Sequence, residues 1–129
     1  MDTVEKLPLL IVDDDILNIN FIVETLKDTY SLYIAKDGEV AIDLALRHRP
    51  VVILLDIVMP GIDGYQTLSY LGSLEEMKDT AIVFMSTLKN ELHQELALNL
   101  NPAAYLKKPL DAERLLSCVK EQIEQRGAR

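Results

Sequence analysis

The segment at residues 51–64, VVILLDIVMPGIDG, constrains the fold more than any other part of the chain. Five apolar residues in a row precede Asp56. A strand that is apolar on every residue is typical of the middle of a parallel sheet, because helices cover both faces of such a sheet. Asp56 would then lie at the carboxyl end of a buried strand, which is the edge where open α/β sheets bind their ligands.

Further strands alternate with helical patterns on both sides of this segment. Short apolar runs predict strands at residues 7–12, 31–35, 51–56, 81–86 and 103–107. Apolar residues at helical spacing follow them at residues 16–26, 40–49, 65–74, 90–100 and 115–123. The aspartates at positions 15, 63 and 111 are predicted N-caps. Five strands alternating with five helices predict a parallel sheet with helices on both faces.

Composition and charge limit the kind of protein. The 129 residues suit a single domain over 1–129, with an ordered core at about 6–125. The net charge of −8 argues against a nucleic-acid surface and against binding to anionic membranes. The one cysteine, Cys118, allows no internal disulfide, and no apolar run has the length of a signal or membrane segment. We therefore expect a cytoplasmic domain, either a stand-alone protein or one cut from a longer chain.

Polar residues follow several of the predicted strands and would meet at one edge of the sheet. These residues are Asp13, Asp14, Asp56, Ser86, Thr87 and Lys108. Clustered carboxylates repel each other unless a cation neutralises them, and three of them suit Mg²⁺, or Mn²⁺ in its place. A cation, a lysine and a hydroxyl together can hold a phosphoryl group, and an aspartate among them can be its acceptor.

The residues at these strand ends resemble those of the receiver domain of two-component response regulators. The matching motifs are LLIVDDD, LLDIVMPGIDGY, IVFMS and YLKKPL, and they extend over essentially the whole chain. Their order and spacing, taken together, are specific to this family. The resemblance implies a flavodoxin-like (βα)₅ three-layer sandwich with a five-stranded parallel sheet of order 2-1-3-4-5.

The resemblance also implies a role for each site residue. Asp56 is the expected phosphoacceptor, Asp14 a direct Mg²⁺ ligand, and Asp13 a ligand that acts mainly through water. The backbone carbonyl of Val58 would complete the protein's share of the coordination. Ser86 and Lys108 would bind the phosphoryl group, with a cis peptide bond between Lys108 and Pro109. Tyr105 matches the aromatic residue whose inward or outward rotamer reports the phosphorylated state.

Three positions beside the predicted site modify this expectation. Thr87 is bulkier than the alanine or glycine that is usual there, so it could narrow access of the phosphoryl group or replace Ser86 as the hydroxyl donor. Val58 and Leu88 flank the path of the attacking water in receivers. Both are apolar here and cannot orient a water molecule by hydrogen bonding. The sequence therefore predicts slow loss of phosphate without a helper protein.

The implied mechanism is a switch that catalyses its own phosphorylation and dephosphorylation, and is not a turnover enzyme. A sensor histidine kinase or histidine phosphotransfer protein would donate the phosphoryl group. The surface of the fourth helix, fifth strand and fifth helix would then change its contacts with a downstream effector or form a homodimer. The alternative is a receiver-like module that binds proteins without being phosphorylated. A phosphatase of the haloacid dehalogenase type is disfavoured, because it needs an acid at the position of Val58.

Overall fold

The computed structural model describes residues 6–56, 64–86 and 102–126. Its strands are β1 (Pro8–Val12), β2 (Ser31–Ala35), β3 (Val52–Asp56), β4 (Ala81–Ser86) and β5 (Ala104–Lys107). Its helices are α1 (Ile16–Leu26), α2 (Gly38–His48), α3 (Gly64–Gly72), a short 3₁₀ helix (Glu75–Met77) and the C-terminal helix (Ala112–Gln125). The helix predicted at residues 90–100 and the cap predicted at Asp63 lie outside the described residues.

Aspartate side chains define where three of the helices begin. Asp15 accepts a hydrogen bond from the Leu17 backbone N–H at 3.0 Å, and Asp111 accepts one from the Arg114 N–H at 2.9 Å. Asp37 does the same for the Val40 N–H of α2. Each bond satisfies a backbone donor that the first helical turn leaves without a carbonyl partner. The caps predicted at Asp15 and Asp111 are thus confirmed.

The five strands form one parallel sheet of order β2-β1-β3-β4-β5, which confirms the predicted fold. β3 lies at the centre, and all five of its residues are buried. Alternate residues of the strands enter two separate cores. Leu10, Ile53 and Phe84 pack on the side of α2 and α3. Leu9, Leu54 and Val83 pack on the side of α1 and the C-terminal helix. The molecule therefore has three layers.

The segment between the helix predicted at residues 65–74 and the strand predicted at residues 81–86 contains the 3₁₀ helix, which the sequence pattern did not predict. Met77 is buried there, at 3% exposure, and packs in the core with Leu71. Its neighbours are polar and exposed, so a single buried side chain gave no periodic signal. Among the described residues, no helix combines the length and the apolar character that crossing a bilayer requires.

The strand register determines which residues meet at the carboxyl ends of the strands. Val12 of β1 is aligned with Leu55 of β3, so the residues that follow them, Asp13 and Asp56, are neighbours. Asp56 is in turn aligned with Met85 of β4. On the other side of β4, Ser86 is aligned with Lys107. The polar residues predicted to converge are therefore brought together by the pairing of buried apolar strands.

Candidate functional site

The two acids on the central strands are buried, while the third is exposed. Asp13 is 0% exposed and Asp56 is 6% exposed. Asp14 follows Asp13 in the turn before α1 and lies at the surface. One carboxylate oxygen from each of the three residues lies within 4.8 Å of the other two. The site thus has an inner pair of carboxylates and an outer one that faces solvent.

This donor set fits a hard divalent cation. Carboxylate oxygens are the ligands that Mg²⁺ and Ca²⁺ prefer, and an open side leaves room for the water molecules that Mg²⁺ retains. Negative charges at this spacing repel each other strongly when buried, so a cation between them would relieve the repulsion. The three residues predicted as side-chain metal ligands are therefore brought into one cluster that is compatible with a metal site.

Lys108 brings a positive charge to the two buried acids. It follows β5, and its backbone N–H donates to the Ser86 carbonyl at 2.9 Å. Its Nζ lies 3.1 Å from Asp13 Oδ2 and 3.3 Å from Asp56 Oδ2. Burial alone would lower the pKa of Lys108, but the carboxylates of Asp56 and Asp13 outweigh that effect and raise it above the ordinary lysine value. Lys108 therefore stays charged and bridges the two acids.

Two further donors, which the sequence pattern did not predict, bind the carboxylate of Asp13. The backbone N–H of Asp15 donates to Asp13 Oδ1 at 2.9 Å. The side-chain amide of Asn18, in the first turns of α1, donates to Asp13 Oδ2. A polar residue between Leu17 and Ile19, one helical turn beyond the acidic segment, was the signal that could have found Asn18. With Lys108, these groups supply three donors to one buried carboxylate.

The remaining predicted residues differ in how far the structure describes them. Ser86 ends β4 and is buried, at 1% exposure, next to the acids along the strand edge. The Tyr105 ring packs against the core on the side of α2 and α3, and its buried hydroxyl has no hydrogen-bond partner among the described residues. The peptide bond between Lys108 and Pro109 is cis, as expected. Val58, Thr87 and Leu88 lie outside the described residues.

Comparison with known protein families agrees with this arrangement. The family model described as the response regulator receiver domain matches residues 9–120, which is most of the chain. The chain belongs to the response regulator receiver domain family. It is therefore a module of two-component signalling, a class of domain that works with histidine kinases and effector domains.

A curated relative of this receiver domain is a much longer protein. A Vibrio cholerae serotype O1 protein named "Probable cyclic di-GMP phosphodiesterase" is 26% identical over 129 residues, which are 100% of this chain and 29% of that protein. The chain thus spans less than a third of the length of that relative.

Solved structures show the same fold. The chemotaxis response regulator CheY4 of Vibrio cholerae superimposes with a TM-score of 0.83 at 26% identity, over 91% of this chain and 98% of that one. The signal receiver domain of a modulated diguanylate cyclase from Desulfovibrio desulfuricans G20 gives 0.83 at 27%, over 93% and 95%. The receiver domain of sensor histidine kinase PA1611 from Pseudomonas aeruginosa PAO1, with a magnesium ion coordinated in its active site cleft, gives 0.86 at 24%, over 94% and 99%.

Proposed function

We propose that this receiver domain accepts a phosphoryl group on the carboxylate of Asp56. The observation that carries the proposal is the contact of Lys108 Nζ with Asp56 Oδ2 at 3.3 Å, within a cluster of three carboxylates. An acid with only a structural role at the end of a strand would need neither a second acid nor an ammonium group beside it. Together these groups supply a nucleophilic oxygen and positive charge to stabilise a phosphoryl group as it arrives.

The donor would be a phosphohistidine of a sensor histidine kinase or a histidine phosphotransfer protein. As an oxygen of Asp56 bonds to phosphorus, the phosphorus–nitrogen bond breaks and the imidazole leaves with the electron pair of that bond. Lys108 would bind an oxygen of the transferred group, and Ser86 would donate a hydrogen bond to another. The domain thus supplies the acceptor and assists its own phosphorylation and dephosphorylation, as a switch and not as a turnover enzyme.

The cation of this site is proposed to be Mg²⁺, with Mn²⁺ able to replace it. When bound, the cation would neutralise the carboxylates and the charge that develops on the phosphoryl oxygens. Asp14 and Asp56 would hold it directly and Asp13 through water, together with the backbone carbonyl of Val58. The cluster of carboxylates supports this assignment, and so does the magnesium ion in the PA1611 receiver.

We propose that the consequences of phosphorylation appear at β5 and the C-terminal helix, together with the helix predicted at residues 90–100. Tyr105 on β5 would report the change through the position of its ring. The partner of this surface would be an effector domain, an effector protein or a second copy of the chain. Apolar Val58 and Leu88 would slow the loss of the phosphoryl group. We assign residues 1–129 to a single cytoplasmic domain.

Acetyl phosphate with Mg²⁺, followed by intact mass measurement, tests the acceptor. Wild type is expected to gain about 80 Da, the mass of one phosphoryl group, and Asp56→Asn is expected to gain nothing. Asp28→Asn, which changes an exposed aspartate, is the matched control and should behave as wild type. Absence of the adduct in wild type would favour the protein-binding module that is never phosphorylated. Continuous release of phosphate would instead indicate a phosphatase.

A further inference from the structure

The carboxylate of Asp13 is held more completely than a simple metal ligand requires. It is fully buried, and both of its oxygens accept hydrogen bonds. Oδ1 is bound by the backbone N–H of Asp15, and Oδ2 is shared by the side chains of Asn18 and Lys108. Two of the three donors therefore converge on one oxygen of a buried charge.

The two donors on Oδ2 differ in their other contacts. Lys108 Nζ also lies 3.3 Å from Asp56 Oδ2, so its charge is divided between two carboxylates. The amide of Asn18 contacts Asp13, and it lies on α1, one turn after the N-cap of that helix. A donor on a flexible lysine that serves two acids cannot by itself fix the orientation of either one. A short side chain on a capped helix can fix it.

Asn18 is not needed for the helix on which it lies. Asp15 already caps α1 by accepting from the Leu17 N–H, so no capping role remains for the side chain of Asn18. Asparagine is also a poorer helix former than alanine or leucine. The residue thus weakens the first turns of α1 locally, and its hydrogen bond to Asp13 is the contact that offsets this cost.

We propose that Asn18 is a positioning residue of the candidate phosphorylation site, whose side-chain amide fixes the Asp13 carboxylate for the divalent cation. The inference rests on the proposed function of this site. Without Asn18, Oδ2 would be bound by Lys108 alone and would be drawn toward the lysine. Partners that orient the ligands of a metal without touching it commonly contribute about tenfold or more to metal affinity.

Titration of the purified protein with Mg²⁺ by calorimetry provides the direct test. Asn18→Ala and Asn18→Leu should both bind Mg²⁺ about tenfold more weakly than wild type. Leucine keeps the branching of asparagine at Cγ but has no donor, so it separates the lost hydrogen bond from lost bulk. Asn20→Ala, at an exposed position of the same helix, makes the same change in helix propensity and should bind Mg²⁺ as wild type does.

Phosphorylation by acetyl phosphate at varied Mg²⁺ separates positioning from a general structural role. In Asn18→Ala, the Mg²⁺ concentration for half-maximal rate should rise by the same factor as the dissociation constant. The rate at saturating Mg²⁺ should stay within about twofold of wild type, because the hydrogen bond of Asn18 is to Asp13. A variant whose saturated rate falls as far as its affinity would overturn the inference.

Other results of these measurements would refute either the proposed role of Asn18 or the proposed function of the site. Unchanged or tighter Mg²⁺ binding in Asn18→Ala would show that the amide does not orient Asp13 for the cation. Full affinity in Asn18→Leu would show that bulk and not hydrogen bonding is what matters, and would equally refute the proposal. A wild-type protein that binds Mg²⁺ but never gains phosphoryl mass would refute the proposed function alone. The affinities of the Asn18 variants would still decide the role of Asn18.

Discussion

The two ends of the strands are held together in different ways. At the amino ends, backbone groups bind one another: the Val51 N–H donates to the Pro8 carbonyl at 2.9 Å, and the Ala81 N–H donates to the Val51 carbonyl at 3.0 Å. At the carboxyl ends, Lys108 forms ion pairs with Asp13 and Asp56. Among the described residues, these are the ion pairs that join different elements, since the others lie within single helices or turns.

The contacts at the amino ends stabilise the fold independently of ligands, whereas the stability of the carboxyl ends depends on what is bound there. Neutral backbone bonds satisfy each other whatever is bound to the protein. The carboxyl ends instead hold a cluster of three carboxylates in which one ammonium group, that of Lys108, forms ion pairs, so the cluster has an excess of negative charge. That excess disfavours the folded state unless a cation is present. The end of the sheet that carries the candidate site would therefore gain stability from the cation of the proposed function.

The largest effect is expected from removal of the positive charge at the carboxyl ends. Lys108→Met removes the ammonium group that pairs with two buried carboxylates and should lower the free energy of unfolding of the metal-free protein by about 3 kcal/mol. Added Mg²⁺ should recover much of this loss. Urea unfolding with EDTA and with Mg²⁺ measures both values. Lys107→Met, at an exposed lysine next in sequence, is the matched control and should change little. An equal loss of unfolding free energy in Lys108→Met and Lys107→Met would show that the ion pairs of Lys108 are not the cause.

The same ion pairs predict a change of stability in alkaline solution. The pKa of Lys108 is raised above its ordinary value of 10.5 by Asp56 and Asp13. A raised lysine pKa means that the ion pairs contribute fully below 10.5 and that their contribution is lost as the pH rises through the higher pKa of the folded state. The stability difference between metal-free wild type and Lys108→Met should therefore be constant near neutrality and shrink above pH 10.5. A difference that persists at about pH 12 would assign the stabilising effect of Lys108 to packing.

The strands, and the meeting of polar residues at their carboxyl ends, were both predictable from the sequence. The strands were predictable because β3 and β4 are apolar on every residue before the last, and runs of that kind suit a sheet covered on both faces. The meeting of Asp13, Asp56 and Lys108 was predictable because parallel strands end on the same side. These features follow from the order of residues along the chain and need no knowledge of side-chain contacts.

Other features depended on side-chain geometry that the sequence does not contain. The hydrogen bond from Asn18 to Asp13 joins a helix to the end of a strand, and a periodic pattern of apolar residues does not predict such a bond. The burial of Met77 in a 3₁₀ helix depends on its packing in the same core as Leu71 of α3. The sequence also could not predict that the ammonium group of Lys108 contacts both Asp13 and Asp56, because a flexible side chain can reach several positions. Such contacts depend on how the helices pack against the sheet, which the order of residues alone does not define.

A smaller effect is expected at the amino ends, from a hydroxyl that supports the backbone bonds. Thr80 Oγ1 donates to the Pro50 carbonyl at 2.8 Å, just before β3 and β4 begin. Thr80→Val keeps the branching of the side chain and removes this bond, so it should lower the free energy of unfolding by about 1 kcal/mol. The loss should be the same with EDTA and with Mg²⁺. A loss that Mg²⁺ reduces would show that the two ends are energetically coupled.

The smallest effect is expected at an ion pair that belongs to neither end. Arg47 and Asp43 lie one turn apart on α2, with Nη2 and Oδ2 at 2.9 Å, and their side chains are 64% and 61% exposed. Solvent screens such a pair, so Asp43→Asn should lower the free energy of unfolding by only about 0.3 kcal/mol. High salt should abolish the difference, which urea unfolding in dilute and in concentrated NaCl would measure. A loss similar to that of Lys108→Met would contradict the assignment of the large electrostatic effects to the buried acids at the carboxyl ends.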